Sequence, residues 1–389
     1  MSSGAASALE GDLLSGARIS HRLLVIEGER VGIAPSGRRR RRLPDGWLVV
    51  PGFIDVQVNG YAGAEIGDDP DQAAAVSRSL PSAGVTGFCP TLISRSDRGY
   101  ARAARALARV SWPDCGARPL GTHLEGPFLA PSRAGAHPAQ RLRPPSPGVL
   151  DRLLAAFSPR IMTLAPELPG ALDAVRALRR QGVIVACGHT EATAEEAHAA
   201  IAAGARLLTH ALNAMPVIGA RAPGPVGAFL ADRRARLSLI ADGVHVAPAT
   251  CALLSRAAGP RLVLVGDTTA ATAAAPGRYR LGETTIRSAP DGSTRTTAGR
   301  LAGGTAPLWR GPATLVCAGV PRARALAAAT VAPRRLLGLP PDLSPGAPAD
   351  LVVLDGDLVP RLTLVGGRVA FADPALPFDV PERGAAFRA

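Results

Sequence analysis

Val183-Ile184-Val185-Ala186-Cys187-Gly188-His189-Thr190 is an apolar run that ends on a glycine, an imidazole and a hydroxyl. Its length, its β-branched residues and its polar boundary read as a strand. Outward from it, strand-like runs occupy 49–59, 84–92, 119–125, 161–167, 207–213, 237–242 and 262–267, making eight in all. Five of the eight end on a residue able to bind a metal or move a proton: His123 with Glu125, His189, His210, Asp242 with His245, and Asp267. A (β/α)8 barrel builds its catalytic centre from polar groups that converge from the carboxyl ends of many strands. The pattern therefore predicts an enzyme on a TIM-type barrel.

Segments rich in Ala, Leu and Arg at helical spacing lie between the runs, at 71–79, 100–110, 149–157, 171–181, 194–203, 226–234 and 248–257. Further helices are expected at 311–318 and 322–337. Strands alternating with helices argue for βαβ units and a parallel sheet. Residues 20–48 and 345–380 instead carry short alternating runs. These predict a small β-sandwich domain built from both chain ends, with the barrel at 49–344 inserted between them. The Gly/Ser/Ala-rich residues 1–19 are expected to be disordered.

Composition narrows the function classes. The chain has 389 residues, 47% of them hydrophobic, enough for one large core and a smaller one. Its formal net charge is +13, and all 44 basic residues are Arg. The arginines are scattered over helical segments without interleaved aromatics, so no nucleic acid is expected as a partner. Arg38–Arg42 is the one true run and reads as a charged loop between turn signals. Without lysine, Schiff-base, P-loop and carbamylated-lysine chemistries are excluded. Cys89, Cys115, Cys187, Cys251 and Cys317 are widely spaced, odd in number and lack a CxxC pair, as expected of reduced thiols in a cytoplasmic protein. No run approaches the ~18 apolar residues of a membrane span, and no signal peptide is apparent.

A hydrolytic metal site needs about three protein ligands and an open position for water. Glu125, His189 and His210 offer one carboxylate and two imidazoles from three strand ends, at separations that suit a barrel mouth and not a zinc finger. Asp267 is the carboxylate placed to move a proton. Gln57-Val58-Asn59 on the first strand offers poor ligands for a transition metal, so one divalent ion is expected. Zinc is the first choice, with iron, cobalt or manganese as alternatives. His123 is expected to support the site without ligating, and Asp55 and Asp242 to orient neighbours. Glu167 stays open between supporting the site and structural hydrogen bonding.

Pro51-Gly52-Phe53-Ile54-Asp55, His123-Leu124-Glu125-Gly126-Pro127, Gly188-His189-Thr190, His210-Ala211-Leu212-Asn213-Ala214-Met215, Asp242-Gly243-Val244-His245 and Asp267 occur in one order. Together they resemble the N-acetylglucosamine-6-phosphate deacetylase family of the amidohydrolase superfamily, over residues 20–372. The resemblance implies hydrolysis of the acetamide of a phosphorylated amino sugar, in amino-sugar catabolism and cell-wall recycling. It assigns Glu125, His189 and His210 to the metal. It assigns His137, Asn213, Ala214, His245, Leu301, Ala302 and Gly303 to the substrate. It also implies a homodimer in which Arg221 reaches the phosphate bound by the neighbouring subunit. Where relatives often carry His-x-His on the first strand, this chain has Gln57-Val58-Asn59. Gly266-Asp267-Thr268, Ala302-Gly303-Gly304, Arg133-Ala134 and Ala222 also depart from the family pattern, and all bear on substrate choice. Alternatives are an amidohydrolase acting on another N-acyl sugar or a cyclic amide, or a basic nucleic-acid-binding protein that kept an inactive barrel.

Overall fold

The structure is a computed structural model that describes residues 7–33, 40–304 and 306–387. Eight parallel strands follow one another in chain order: Phe53–Val58, Val85–Leu92, His123–Glu125, Ile161–Leu164, Ile184–Cys187, Leu207–Leu208, Arg236–Leu239 and Leu262–Leu264. The chain after the eighth meets the first strand. Val58 bridges Thr268 in parallel, the Asn59 N–H donates to the Thr268 carbonyl at 2.8 Å, and the Gly266 N–H donates to the Asp55 carboxylate at 3.1 Å. This closes the expected (β/α)8 barrel.

Side-chain alternation sets what each strand offers the interior. Val56, Cys89, Ile161, Ala186, Leu207 and Val263 pack together inside the barrel. Their neighbours Met162, Leu164, Val185, Cys187, Leu208, Leu262 and Leu264 join the larger cluster shared with the helices. Leu124 faces outward with that second set. His123 and Glu125 on either side of it therefore face the barrel axis.

Helices fill the expected gaps at Pro70–Ser79, Asp97–Leu107, Pro147–Phe157, Ala171–Arg180, Ala194–Ala203, Gly224–Ala231, Pro248–Ala258 and Arg310–Cys317. The single helix expected over 322–337 is two, Arg322–Ala329 and Val331–Leu337. Pro333 lacks the N–H that would bond to Ala329, and its ring crowds that carbonyl, so the helix breaks at Thr330. Among the described residues no helix is long and apolar enough to cross a membrane.

Both ends of the chain contribute to one eight-stranded sheet containing Ser7–Ser15, Arg18–Glu27, Leu48–Pro51, Leu351–Leu354, Pro360–Val365 and Arg368–Ala372. Val49, Leu351 and Val353 enter a small core with Leu9, Leu24, Ile26 and Phe387, while the alternate residues Leu48, Val50, Val352 and Leu354 pack toward the barrel. Three expectations are corrected here. Residues 7–15, expected to be disordered, form a strand paired over its whole length with Arg18–Glu27 through a turn at Gly16, because Leu9 and Leu13 have a core to enter; residues 1–6 lie outside the described ones. The run expected over 49–59 divides at Gly52, its first part belonging to the terminal sheet. Arg40–Arg42 form a short strand parallel to Ala8–Glu10 in place of a loop, with Arg40 3.7 Å from Glu10; Arg38 and Arg39 lie outside the described residues.

One element was not expected from the sequence. Between the eighth barrel strand and the last helices, Arg278–Leu281, Thr284–Ser288 and Thr294–Thr296 form an antiparallel sheet. Its apolar residues Leu281 and Ile286 pack with Ile93, Ala271 and Ala302 at the barrel mouth.

Candidate active site

Glu125, His189 and His210 meet at the carboxyl end of the barrel, all buried. Continued alternation would send His189 and His210 outward, since Cys187 and Leu208 face the helices. Each instead adopts a left-handed backbone, with φ of 48° and 31°, and turns its ring inward. Such conformations cost of order 1–3 kcal/mol for a non-glycine residue and gather at functional sites. His210 Nε2 lies 3.0 Å from Glu125 Oε1 and 3.1 Å from His189 Nε2, and His189 Nε2 lies 3.3 Å from the same oxygen. Tetrahedral coordination with bonds of ~2.0–2.1 Å separates ligand atoms by about 3.3 Å. The triangle therefore fits one divalent ion.

The protonation of the cluster suits the same role. The carbonyl of Arg133 accepts from His189 Nδ1–H at 2.8 Å, which leaves the Nε2 lone pair facing the centre. Burial pushes the Glu125 carboxyl up, but the polar contacts with His137, His189 and His210 outweigh it and hold the group well below its usual range. Burial lowers His210, and its Nδ1 has no hydrogen-bond partner among the described residues. An anionic carboxylate beside unprotonated imidazole nitrogens is the donor set of a metal such as zinc.

Gln57 and Asn59 do something their poor ligand character did not suggest. Gln57 Nε2 donates to Glu125 Oε1 at 2.9 Å, and Asn59 Nδ2 donates to Asp267 Oδ1 at 3.0 Å. The first strand thus orients both carboxylates. Asp267, at φ 45°, is buried and shares a cavity of about 320 Å³ with the cluster. Burial raises its carboxyl well above the usual range, the nearby Glu125 and Asp55 charges add to this, and the Asn59 hydrogen bond opposes it.

His137, Asn213, Ala214, His245, Leu301, Ala302 and Gly303 line that cavity. His137 Nδ1 accepts from the Ser94 N–H at 3.1 Å, and burial followed by the His189 charge pushes this imidazole down to about 4. The neutral ring therefore carries its proton on Nε2, 3.5 Å from Glu125 Oε2. His245 Nδ1 lies 2.8 Å from Asp242, turning Nε2 away from that carboxylate. Gly303, at φ 65°, approaches so closely that a Cβ there would lie 2.5 Å from Thr269 and 2.8 Å from the Asp267 carbonyl.

Arg221 is the expected residue that the single chain does not bring in. It is exposed and does not line the cavity. His123 bonds the Val56 carbonyl at 2.9 Å and the Thr163 hydroxyl at 2.8 Å, so it braces the floor beneath the cluster. Glu167 accepts from Thr190 and from the Glu191 N–H, anchoring the loop after His189. Asp55 tethers Gly266, next to Asp267. Ser94, Arg133 and Arg300 were missed by the sequence reading. Ser94 and Arg300 carry no motif signal, and Arg133 was noted only as a departure from the family pattern.

A closed barrel with one carboxylate and two imidazoles converging on a single point beside a buried aspartate defines a hydrolase of the amidohydrolase class. The chain belongs to the amidohydrolase family, whose model matches residues 48–376, and within it to the N-acetylglucosamine-6-phosphate deacetylases. It is 37% identical over 361 residues to the human N-acetylglucosamine-6-phosphate deacetylase, covering 86% of each chain. It is 36% identical over 361 residues to the N-acetylgalactosamine-6-phosphate deacetylase of Escherichia coli O157:H7, covering 90% of this chain and 94% of that one. The Mycobacterium smegmatis N-acetyl-D-glucosamine-6-phosphate deacetylase, solved as an aspartate-to-alanine mutant in complex with N-acetyl-D-glucosamine-6-phosphate, superposes with a TM-score of 0.87 at 36% identity, covering 95% of this chain and all of that one.

Proposed function

We propose that the protein hydrolyses the acetamide of N-acetylglucosamine 6-phosphate to glucosamine 6-phosphate and acetate. The observation that carries this reading is the single cavity shared by the Glu125–His189–His210 triangle and the Asp267 carboxylate. Glu125, His189 and His210 would hold one divalent ion, zinc by first choice with iron, cobalt or manganese as alternatives, which supplies Lewis acidity toward water and the amide carbonyl. Asp267, oriented by Asn59, takes a proton from the attacking water. The His137 Nε2–H donates to the amide oxygen as negative charge builds there. Asp267 then returns its proton to the departing nitrogen. Water has been added across the C–N bond, giving a free amine and acetate.

His245, Asn213, Ala214 and the Leu301–Gly303 segment are assigned to the sugar phosphate, since they line the rest of the cavity. Arg221 is assigned to the phosphate held by a neighbouring subunit of a homodimer. Val217 and Ile218 on its loop are 73% and 47% exposed, apolar side chains that a second copy would cover. A cytoplasmic setting is supported by five cysteines that form no disulfide.

The N-acetylgalactosamine 6-phosphate reading is favoured by the Escherichia coli relative, and the two sugars differ only at C4. Acetate release from both epimers and from phosphate-free N-acetylglucosamine tests the proposal. The expected order of kcat/KM places the glucosamine 6-phosphate derivative first. A preference for the galactosamine epimer would reassign the sugar, and equal turnover without phosphate would favour an amidohydrolase of other N-acyl sugars.

A further inference from the structure

The reactive end of the cavity carries carboxylates that the divalent ion would offset, which leaves it no cation to spare for a phosphoryl group. Glu125 and Asp267 face it, and Asp242, held below its usual range by His245 although burial opposes this, stands behind His245. A substrate carrying a phosphoryl dianion needs a cation at the other end of the same space. Only two cationic side chains line the cavity among the described residues, Arg133 and Arg300. Arg133 is committed: its Nε and Nη2 donate to the two oxygens of Glu191 at 2.6 and 2.9 Å. Arg300 is not, because its side chain has no hydrogen bond or ion pair with any described residue.

The backbone that carries Arg300 is held in place. Its carbonyl accepts from the Thr296 N–H at 2.8 Å and its own N–H donates to the Thr296 hydroxyl at 3.3 Å. Two and four residues on, the Ala302 N–H bonds the Thr294 carbonyl at 2.9 Å and the Gly304 N–H bonds the Asp267 carbonyl at 2.8 Å. The antiparallel sheet at 278–296 thus places a free guanidinium on a segment pinned to the backbone of Asp267 itself. A long side chain on a fixed base can close on a ligand while losing only its own rotamer freedom.

We propose that Arg300 binds the phosphoryl group of the substrate and sets, from within the same chain, the preference for a phosphorylated sugar. The inference rests on the substrate reading above. A guanidinium fork can give two parallel hydrogen bonds to phosphate oxygens. Losing such charge-assisted bonds is expected to weaken binding by roughly 10- to 100-fold.

The test compares the metal-loaded full chain with Arg300→Ala and Arg300→Lys, on N-acetylglucosamine with and without the 6-phosphate. In R300A the ratio of kcat/KM for the phosphorylated over the phosphate-free sugar is expected to fall by roughly 10- to 100-fold, the loss falling on KM. R300K should recover part of it. An unchanged ratio, or an equal loss on both sugars, overturns the proposal. If the unsubstituted enzyme releases acetate from neither sugar, the substrate reading has failed. Calorimetric titration with inorganic phosphate then decides the residue: weaker binding in R300A supports an anion site, and equal binding in both proteins overturns it.

Discussion

The two ends of the barrel handle buried charge in opposite ways. At the amino end, Arg334 is buried and donates to the carbonyls of Gly52 and Thr330, while Arg160 donates to the Leu337 carbonyl. Each cation there ends on oxygens that hold the fold together. At the carboxyl end, Glu125, Asp267 and four imidazoles crowd one cavity, and His189, His210 and Asp267 all adopt left-handed backbones. That arrangement is costly for a chain that only has to fold. Charges that complete the structure lie at one end, and charges kept for chemistry lie at the other.

The largest separation between the two ends is expected from Asp267→Asn. Removing the proton-transfer group should lower kcat by about a thousandfold, while metal content, read by elemental analysis, stays at the level of the unsubstituted protein. Full turnover would dismiss Asp267 as the proton carrier. Arg334→Ala should do the reverse, lowering unfolding free energy by about 2–3 kcal/mol in a denaturant titration with little change in kcat. It orphans two carbonyls and leaves a void, yet lies far from the chemistry.

Asn59→Ala should reduce kcat by about tenfold and move the acid limb of the rate profile to higher pH. The sign follows from the Asn59 hydrogen bond, which favours the ionised form of Asp267. Without that bond the carboxyl titrates at still higher pH, so more alkaline solution is needed to ionise it. An unshifted limb would make Asn59 a spacer only. A purely pH-linked effect is expected from Asp55, which burial pushes up to about 7 against the opposing Gln57 and Gly266 N–H bonds. The folded chain then keeps a proton that the unfolded chain releases near pH 4. Stability contributed by this group is therefore lost as pH rises from about 4 toward 7, by up to about 1.4 kcal/mol per pH unit. Asp55→Asn should flatten that part of the Tm–pH curve.

The barrel was legible because each strand is a short apolar run closed by a polar residue, as in Val183 to Thr190. The strands proved shorter than read, since the polar ends leave the sheet at residues such as His189 and His210 to re-aim their rings. Residues 7–15 were misread because Gly, Ser and Ala hide a strand whose only strong signals are Leu9, Leu13 and Leu14. The small sheet over 278–296 has too few apolar residues to stand out among Arg and Thr. Within the site, residue types could name Glu125, His189, His210 and Asp267 but not direction. Gln57 and Asn59 looked inert until their hydrogen bonds to the two carboxylates were seen, and Arg221, read as reaching a neighbouring subunit, is exposed outside this chain's own cavity.

Equilibrium dialysis against zinc tests the central claim most directly, comparing the unsubstituted chain with Glu125→Ala, His189→Ala and His210→Ala. The account predicts one tightly held ion per chain, and binding lost or weakened at least a hundredfold in each variant, as expected when a closed ligand set drops from three to two. Undiminished zinc binding in all three variants would contradict it.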